Sequence, residues 1–345
     1  MSHNKSSDEQ PISILVTGGT GMLGANVLEQ LTRKGFSVRA TKRPTSSFKL
    51  IHKVFERSAE NPIEQFSRIE WVEADLLNAE QMLNATRNIQ LVFHAGAMVS
   101  FSPKNSKEII QTNQQGTANL VDACIANDVK EICYVSSIAA LGKAKNGEAI
   151  DETCAWEGDK GQGAYAISKH RGEIEVMRAL EHGIRLNIVC PSIILGPDQL
   201  DGVSGQIISL VSKGLPIYTN GIIGYVDARD VAKIMIKLML ETDLNGERFI
   251  ANAEDITFRQ TFEIMAELLE KRKPFIRIYP WMSYLSYPFI LLFGFLIGKG
   301  AFISFSNMMF IFNKSKYSNK KVRQMLDFQF TSVEESLRFS IKPNS

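Results

Sequence analysis

The first 190 residues alternate between short apolar runs and longer amphipathic stretches. Ile12–Val16, Ser37–Thr41, Ile69–Glu73, Leu91–His94, Glu131–Val135 and Leu186–Cys190 each have the length of a strand. Runs this short and this apolar suit a parallel sheet buried on both faces. Apolar positions at helical spacing fill the intervals. They predict a helix from about Gly24 to Lys34, one within Lys42–Glu64, a long one over Ile109–Asn127 and another over Tyr165–His182. Gly35 stands where a helix C-terminus takes a left-handed residue. Strand and helix in turn predict an α/β fold built on a doubly wound parallel sheet. Past Pro191 the alternation breaks, and Gly, Pro and aromatic residues become frequent. Helix-like segments at 204–213 and 257–273 predict a smaller C-terminal substrate-binding cap. The expected division is a main domain over 11–190, rejoined by 225–252, with 191–224 and 253–340 forming the cap.

At 345 residues the chain has room for one large α/β domain with such a cap. Hydrophobic residues at 44% and charged residues at 22% are ordinary for a globular protein. A formal net charge of +2 gives no reason to expect a nucleic-acid partner. Cys124, Cys133, Cys154 and Cys190 fit no zinc or Cys-x-x-Cys spacing. Cys124, Cys133 and Cys190 lie in apolar runs and read as buried thiols. Residues 1–10 are polar and lack an apolar signal core, which points to a reducing, cytoplasmic setting.

The first strand runs into Thr17-Gly18-Gly19-Thr20-Gly21-Met22-Leu23-Gly24. Glycines at 18, 21 and 24 allow a sharp turn, close approach of backbone to pyrophosphate, and tight helix–strand packing. The helix that follows offers free N–H groups and a positive dipole end to phosphate. The loop therefore predicts a Rossmann-type dinucleotide site. The end of the second strand chooses the nucleotide. A carboxylate there would hold the adenosine ribose, but none occurs between Gly35 and Phe55. Arg39, Lys42, Arg43 and Lys49 stand there instead, and cations suit a 2′-phosphate. NADP is favoured over NAD. Asp75 can accept from the adenine amino group while Leu76 packs on the ring, and the same Asp75 can cap the helix that begins near Asn78. Ala95, at the fourth strand end, is counted with the cofactor contacts.

Tyr165-Ala-Ile-Ser-Lys169 places a phenol and an ammonium at i and i+4, on one helix face. A phenol with its ordinary pKa near 10 transfers protons poorly at neutral pH, and a neighbouring cation is expected to lower it. Ser136 and Ser137 close the fifth strand at its C-terminal end, where open α/β sheets hold ligands. His94 reads as a core residue.

Gly-x-x-Gly-x-x-Gly, a strand-end Ser and Tyr-x-x-x-Lys, in that order, resemble the extended short-chain dehydrogenase/reductase superfamily. The resemblance covers most of the chain and points in particular to dihydroflavonol 4-reductase-like and 3β-hydroxysteroid dehydrogenase-like members. Val92–Ala97, Asn113–Asn119, Tyr134–Gly142, Pro191–Pro197, Tyr225–Ala232 and Tyr317–Lys321 add to it. It implies hydride transfer at the nicotinamide, with Tyr165 as proton donor or acceptor and Lys169 lowering its pKa and binding the ribose. It implies that Ser137, five residues before Gly142, holds the substrate oxygen. Asn113 would support the active-site helix, Pro191 and Ile193 would line the nicotinamide pocket, and Arg43 would take the 2′-phosphate. A homodimer through helices flanking the sheet is also what the resemblance implies.

Tyr284–Ile297 and Phe302–Phe312 are strongly apolar, with lysines at 299, 314, 316, 320 and 321 around them. The uninterrupted core, Pro288–Ile297, is too short to span a bilayer. A buried cap helix is favoured for 284–312 over a peripheral membrane contact. Either predicts a lipophilic small-molecule substrate. A nucleotide-sugar epimerase and a non-catalytic dinucleotide sensor are the competing functions. Dehydration is disfavoured, because Ile138-Ala139 follows Ser137 where dehydratases of this superfamily usually carry an Asp-Glu pair.

Overall fold

A computed structural model describes residues 12–100, 102–145, 147–197, 203–285 and 309–341. Its centre is a seven-stranded sheet, all parallel, made from β1 (Ile14–Thr17), β2 (Val38–Lys42), β3 (Ile69–Glu73), β4 (Leu91–His94), β5 (Glu131–Val135), β6 (Arg185–Pro191) and β10 (Glu247–Ala251). Their order across the sheet is β10-β6-β5-β4-β1-β2-β3. Strand order reverses between β1 and β4, which opens a crevice at the strands' C-terminal ends.

Alternation within β1 shows why the sheet is buried on both sides. Ile14 and Val16 face a core shared with α1 (Met22–Arg33), α2 (Lys49–Ser58) and α8 (Ala228–Glu241). Leu15 faces the opposite core, shared with α5 (Ser106–Ala126) and α6 (Ala164–Glu181). Every side chain of β1 is apolar except the last, because each face needs one. Gly35 follows α1 with φ +93°, and Phe36 N–H returns to the Leu31 carbonyl at 3.2 Å. That closes the helix as its position in the sequence predicts. The predicted helix within 42–64 is two helices, α2 and α3 (Pro62–Ser67), and α4 (Ala79–Ala85) follows β3.

After Pro191 the chain leaves the main sheet within two residues. β7 (Ile193–Leu195) and β9 (Ile222–Asp227) pair in parallel, and β11 (Glu254–Thr257) runs antiparallel to β9. Of the segment 225–252, α8 and β10 pack with the main sheet, whereas Tyr225–Asp227 pair with β7 in this second one. α7 (Val203–Ser212), α9 (Phe258–Leu268) and α11 (Val333–Ile341) cover the small sheet, with Phe258, Met265, Val333 and Leu337 in its core. A two-stranded ribbon, β8 (Ile217–Tyr218) with β12 (Ile276–Arg277), stands beyond it. The short helix α10 (Lys320–Met325) returns the chain to the main body, where Val322 and Phe328 join the first core. Among the described residues no helix is long and apolar enough to cross a membrane. Of the apolar segment at 284–312, residues 286–308 lie outside the described chain.

Candidate active site

The glycine loop sits where β1 meets α1. Gly18 has φ +71°, and a Cβ there would lie 2.7 Å from backbone atoms of Gly96 at the end of β4. A Cβ on Gly24 would lie 2.2 Å from the Gly18 carbonyl oxygen. Any side chain at either position would displace the backbone. Gly21 is the N-cap of α1 and supplies no side-chain bond, and the first turn carries no acidic residue. The N–H groups over Met22, Leu23 and Gly24 thus face the crevice with a positive helix end and nothing to neutralise it. Thr20 is half-buried, Met22 and Leu23 are buried, and Met22 packs against Gly196 just after β7. This tight glycine turn, leading into an uncapped helix N-terminus, fits a dinucleotide pyrophosphate.

The basic end of β2 resolves into two groups. Arg39 is committed to Glu70 at 3.0 Å and to the Ala85 and Arg87 carbonyls at 3.0 and 2.9 Å. Lys42 lies 3.9 Å from Glu73. Arg43 and Lys49 are exposed, and among the described residues neither side chain has an acidic partner. At the end of β3, Asn78 rather than Asp75 caps α4, accepting from Gln81 N–H at 3.0 Å. Asp75 Oδ1 accepts from Leu77 N–H at 2.9 Å, holding a turn. Leu76 wedges against Gly116, where a Cβ would approach within 2.8 Å of it. Ala95 lies against Gly18, 2.9 Å from where a Cβ on that glycine would be.

β5 delivers Ser137 and α6 delivers Tyr165 to one place, near enough for the Ser137 hydroxyl to act on the phenol. Ser137 Oγ also accepts from Ala139 N–H at 3.2 Å, which fixes its rotamer over a short turn. Desolvation pushes the Tyr165 phenol above its ordinary range, the Ser137 hydroxyl pulls it back, and the Cys190 thiol adds a smaller upward push. The shift is therefore upward, the reverse of what the i, i+4 ammonium alone implies, because burial wins. Lys169 Nζ donates to the Val135 carbonyl at 2.7 Å and lies 5.2 Å from the Tyr134 ring centre. Burial lowers Lys169 to about 8, against upward pulls from Glu173 and Cys190. Asn113 clamps the loop after β4 to α6. Its Oδ1 accepts from Met98 N–H at 2.7 Å, and its Nδ2 donates to the Met98 carbonyl and to Ser168 Oγ, each at 2.9 Å. Ser168 Oγ donates in turn to the Tyr165 carbonyl at 2.8 Å. Asn113 is thus a positioning residue for the helix that carries Tyr165. Pro191 is buried at the end of β6, paired with Ala251, and Ile193 is half-buried at the start of β7.

Comparison with known proteins accords with this geometry. The model of the "NAD dependent epimerase/dehydratase family" matches residues 14–251. The chain belongs to that family. Within it the protein is an extended short-chain dehydrogenase/reductase, and it binds NAD(P). It is 30% identical over 249 residues to a "Putative dihydroflavonol 4-reductase" of Synechocystis, covering 71% of this chain and 68% of that protein. It is 26% identical over 274 residues to "Sterol demethylase protein B" of Methylococcus capsulatus, covering 78% of each. Among solved structures it resembles that of gox2253, with a TM-score of 0.79 and 25% identity over 96% of this chain and 97% of that one.

Several residues of this epimerase/dehydratase-family site escaped the motif reading. Glu173 is buried four residues after Lys169, pairs with Arg248 of β10 at 2.8 Å, and accepts from Cys190 Sγ at 3.6 Å. Burial raises its carboxyl, and the Arg248 charge opposes that. The i, i+4 spacing that joins Tyr165 to Lys169 joins Lys169 to Glu173, so this residue was legible. Tyr134 was not, because nothing local marks it. Its hydroxyl lies 2.3 Å from where a Cβ on Gly172 would be, so only glycine at 172 lets the ring slide under Lys169. His94 is buried, as a core reading requires, and also bonded. Thr117 Oγ1 donates to the Asn113 carbonyl at 2.7 Å, so it accepts from His94 Nε2–H at 3.2 Å. His94 Nδ1 then accepts from the Thr17 hydroxyl at 2.7 Å, and Thr17 Oγ1 accepts from Gly96 N–H at 3.2 Å. Burial, with the Lys169 charge behind it, lowers His94 to about 3, so the ring is neutral and this one tautomer satisfies every bond.

Proposed function

We propose that the protein is an NADP-dependent reductase of a carbonyl on a lipophilic small molecule. The observation that carries this is the convergence of Ser137 and Tyr165, with the phenol held above its ordinary pKa and so protonated. A protonated phenol is a donor, which suits reduction of a carbonyl. NADPH, when bound, supplies the hydride. Ser137 donates a hydrogen bond to the carbonyl oxygen and supports the charge that develops there. Tyr165 gives its proton to the same oxygen, producing the alcohol. The Lys169 cation, one helical turn from Tyr165, stabilises the phenolate left behind. Asn113 and Ser168 hold α6 in register with Ser137. Met22, Leu23 and Gly24 bind pyrophosphate, with Thr20 and Gly18 shaping the loop. Arg43, assisted by Lys49, takes the 2′-phosphate, and Asp75 and Leu76 hold the adenine. Ala95, Pro191 and Ile193 border the nicotinamide. The apolar segments of the cap and the kinship with "Sterol demethylase protein B" support an apolar substrate.

The test is cofactor oxidation with a panel of apolar ketones and aldehydes, run with NADPH and with NADH, beside an epimerisation assay on UDP-glucose. Turnover of apolar carbonyls with NADPH preferred supports the proposal. Epimerisation without net oxidation of added cofactor overturns it in favour of a sugar-nucleotide enzyme.

A further inference from the structure

The cap carries an exposed aromatic and basic face far along the chain from Tyr165. Phe275 is 56% exposed, Trp281 58% and Leu285 64%, and Ile276 and Tyr279 are exposed beside them. The β8–β12 ribbon presents Ile217 directly opposite Ile276, both exposed. Side chains of this kind are rarely left to water in a cluster. The charges are one-sided. Residues 271–285 contain Lys271, Arg272, Lys273 and Arg277 and no carboxylate. Among the described residues only Lys273 of these four has an acidic partner, Glu267 at 3.1 Å. Arg272 stacks over Phe275 at 4.3 Å and Arg277 over Tyr279 at 4.6 Å, so two guanidinium groups sit at the level of the rings. A net charge of +2 gives the whole molecule little attraction to an anionic surface, and any attraction must be local.

We propose that the face formed by residues 271–285 and Ile217 docks on the interface of an anionic lipid bilayer. Trp and Tyr rings prefer the depth of the headgroups, with an apolar body in the acyl boundary and a polar edge in water. Cations at the same height meet lipid phosphates and carboxylates. A dry protein partner would have to desolvate four cations, whereas a bilayer surface leaves them hydrated. The inference does not depend on the reductase reading, since its readout is attachment rather than turnover.

The experiment is co-sedimentation of the full chain with vesicles of phosphatidylcholine, alone or mixed with phosphatidylserine. Phe275→Ser/Trp281→Ser and Arg272→Gln/Arg277→Gln double variants run in parallel, with NADPH binding as the check of fold. The expected result is attachment to the mixed vesicles only, weakened by salt. Loss of two cations should weaken it about 25-fold, at roughly fivefold each, and loss of the two rings should abolish it. No attachment of the wild type overturns the proposal. So does attachment unchanged in both variants, which locates the contact elsewhere. A wild-type dimer in lipid-free buffer that the Phe275→Ser/Trp281→Ser variant makes monomeric also overturns it, because the face then joins two copies of the chain.

Discussion

Desolvation holds the half-buried Tyr165 phenol above its ordinary range, and the buried Lys169 holds its proton loosely for the same reason. Lys169 is lowered from 10.5 to about 8, so in the free enzyme it becomes neutral as pH rises through 8. Loss of that cation removes the support for the phenolate. The pH profile of kcat/KM, which reports the free enzyme, should therefore fall on its alkaline side near pH 8. Lys169→Arg should move that limb upward, since a guanidinium stays charged. Arg43 acts at the other end of the cofactor. A charge-assisted hydrogen bond of about 1.5–3 kcal/mol corresponds to roughly 10–150-fold in affinity. Arg43→Ala should weaken NADPH binding by that factor in a fluorescence titration and leave NADH nearly unchanged. Equal loss for both would mean the guanidinium does not read the 2′-phosphate.

At the scale of the elements, α6 is held in place by neighbours the motif does not contain. Gly172 admits the Tyr134 hydroxyl beneath Lys169. Gly172→Ala would force the ring away, at the ~1–3 kcal/mol typical of overpacking. Thermal unfolding should register that cost, and the alkaline limb should shift as well, because the ring under the ammonium moves. Asn113→Ala strands Met98 N–H and frees Ser168, so kcat should fall more than KM rises. Most of this arrangement was legible only in outline. Gly18, Gly24, Ser137 and Tyr165 announce themselves because each motif is local. The Asn113–Met98 bonds span 15 residues and the Asn113–Ser168 bond 55, and no spacing rule marks such partners. Helical spacing shows the charge near Tyr165 but not the desolvation that sets the net direction of its shift. β1 to β6 were visible as apolar runs, whereas β8 and β12, two residues each, carry no periodicity.

Across the whole molecule, burial raises widely separated carboxylates in the same direction. Glu29 in α1 and Glu131 in β5 are each raised from 4.5 to about 7, and Asp230 in α8 from 3.8 to about 6. A carboxyl raised on folding binds its proton more tightly in the folded state. Its contribution is favourable at low pH and is lost as pH rises from about 4.5 through 7. Glu29→Gln should therefore raise the melting temperature above pH 7 and leave it unchanged below about 4.5. A gain that is equal at both ends would mean Glu29 stays ionised throughout.

The architecture places the glycine loop, Ser137 and Tyr165 at the C-terminal ends of the main sheet, with the cap beside them. Reduction of a carbonyl there turns on one phenolic proton. The most direct measurement is the oxidation of NADPH by an apolar carbonyl substrate with the wild type and with Tyr165→Phe, alongside NADPH affinity for both. Near-equal affinity with turnover lowered by about 10²–10⁴-fold in the variant is the predicted result. Turnover in Tyr165→Phe equal to that of the wild type would contradict it.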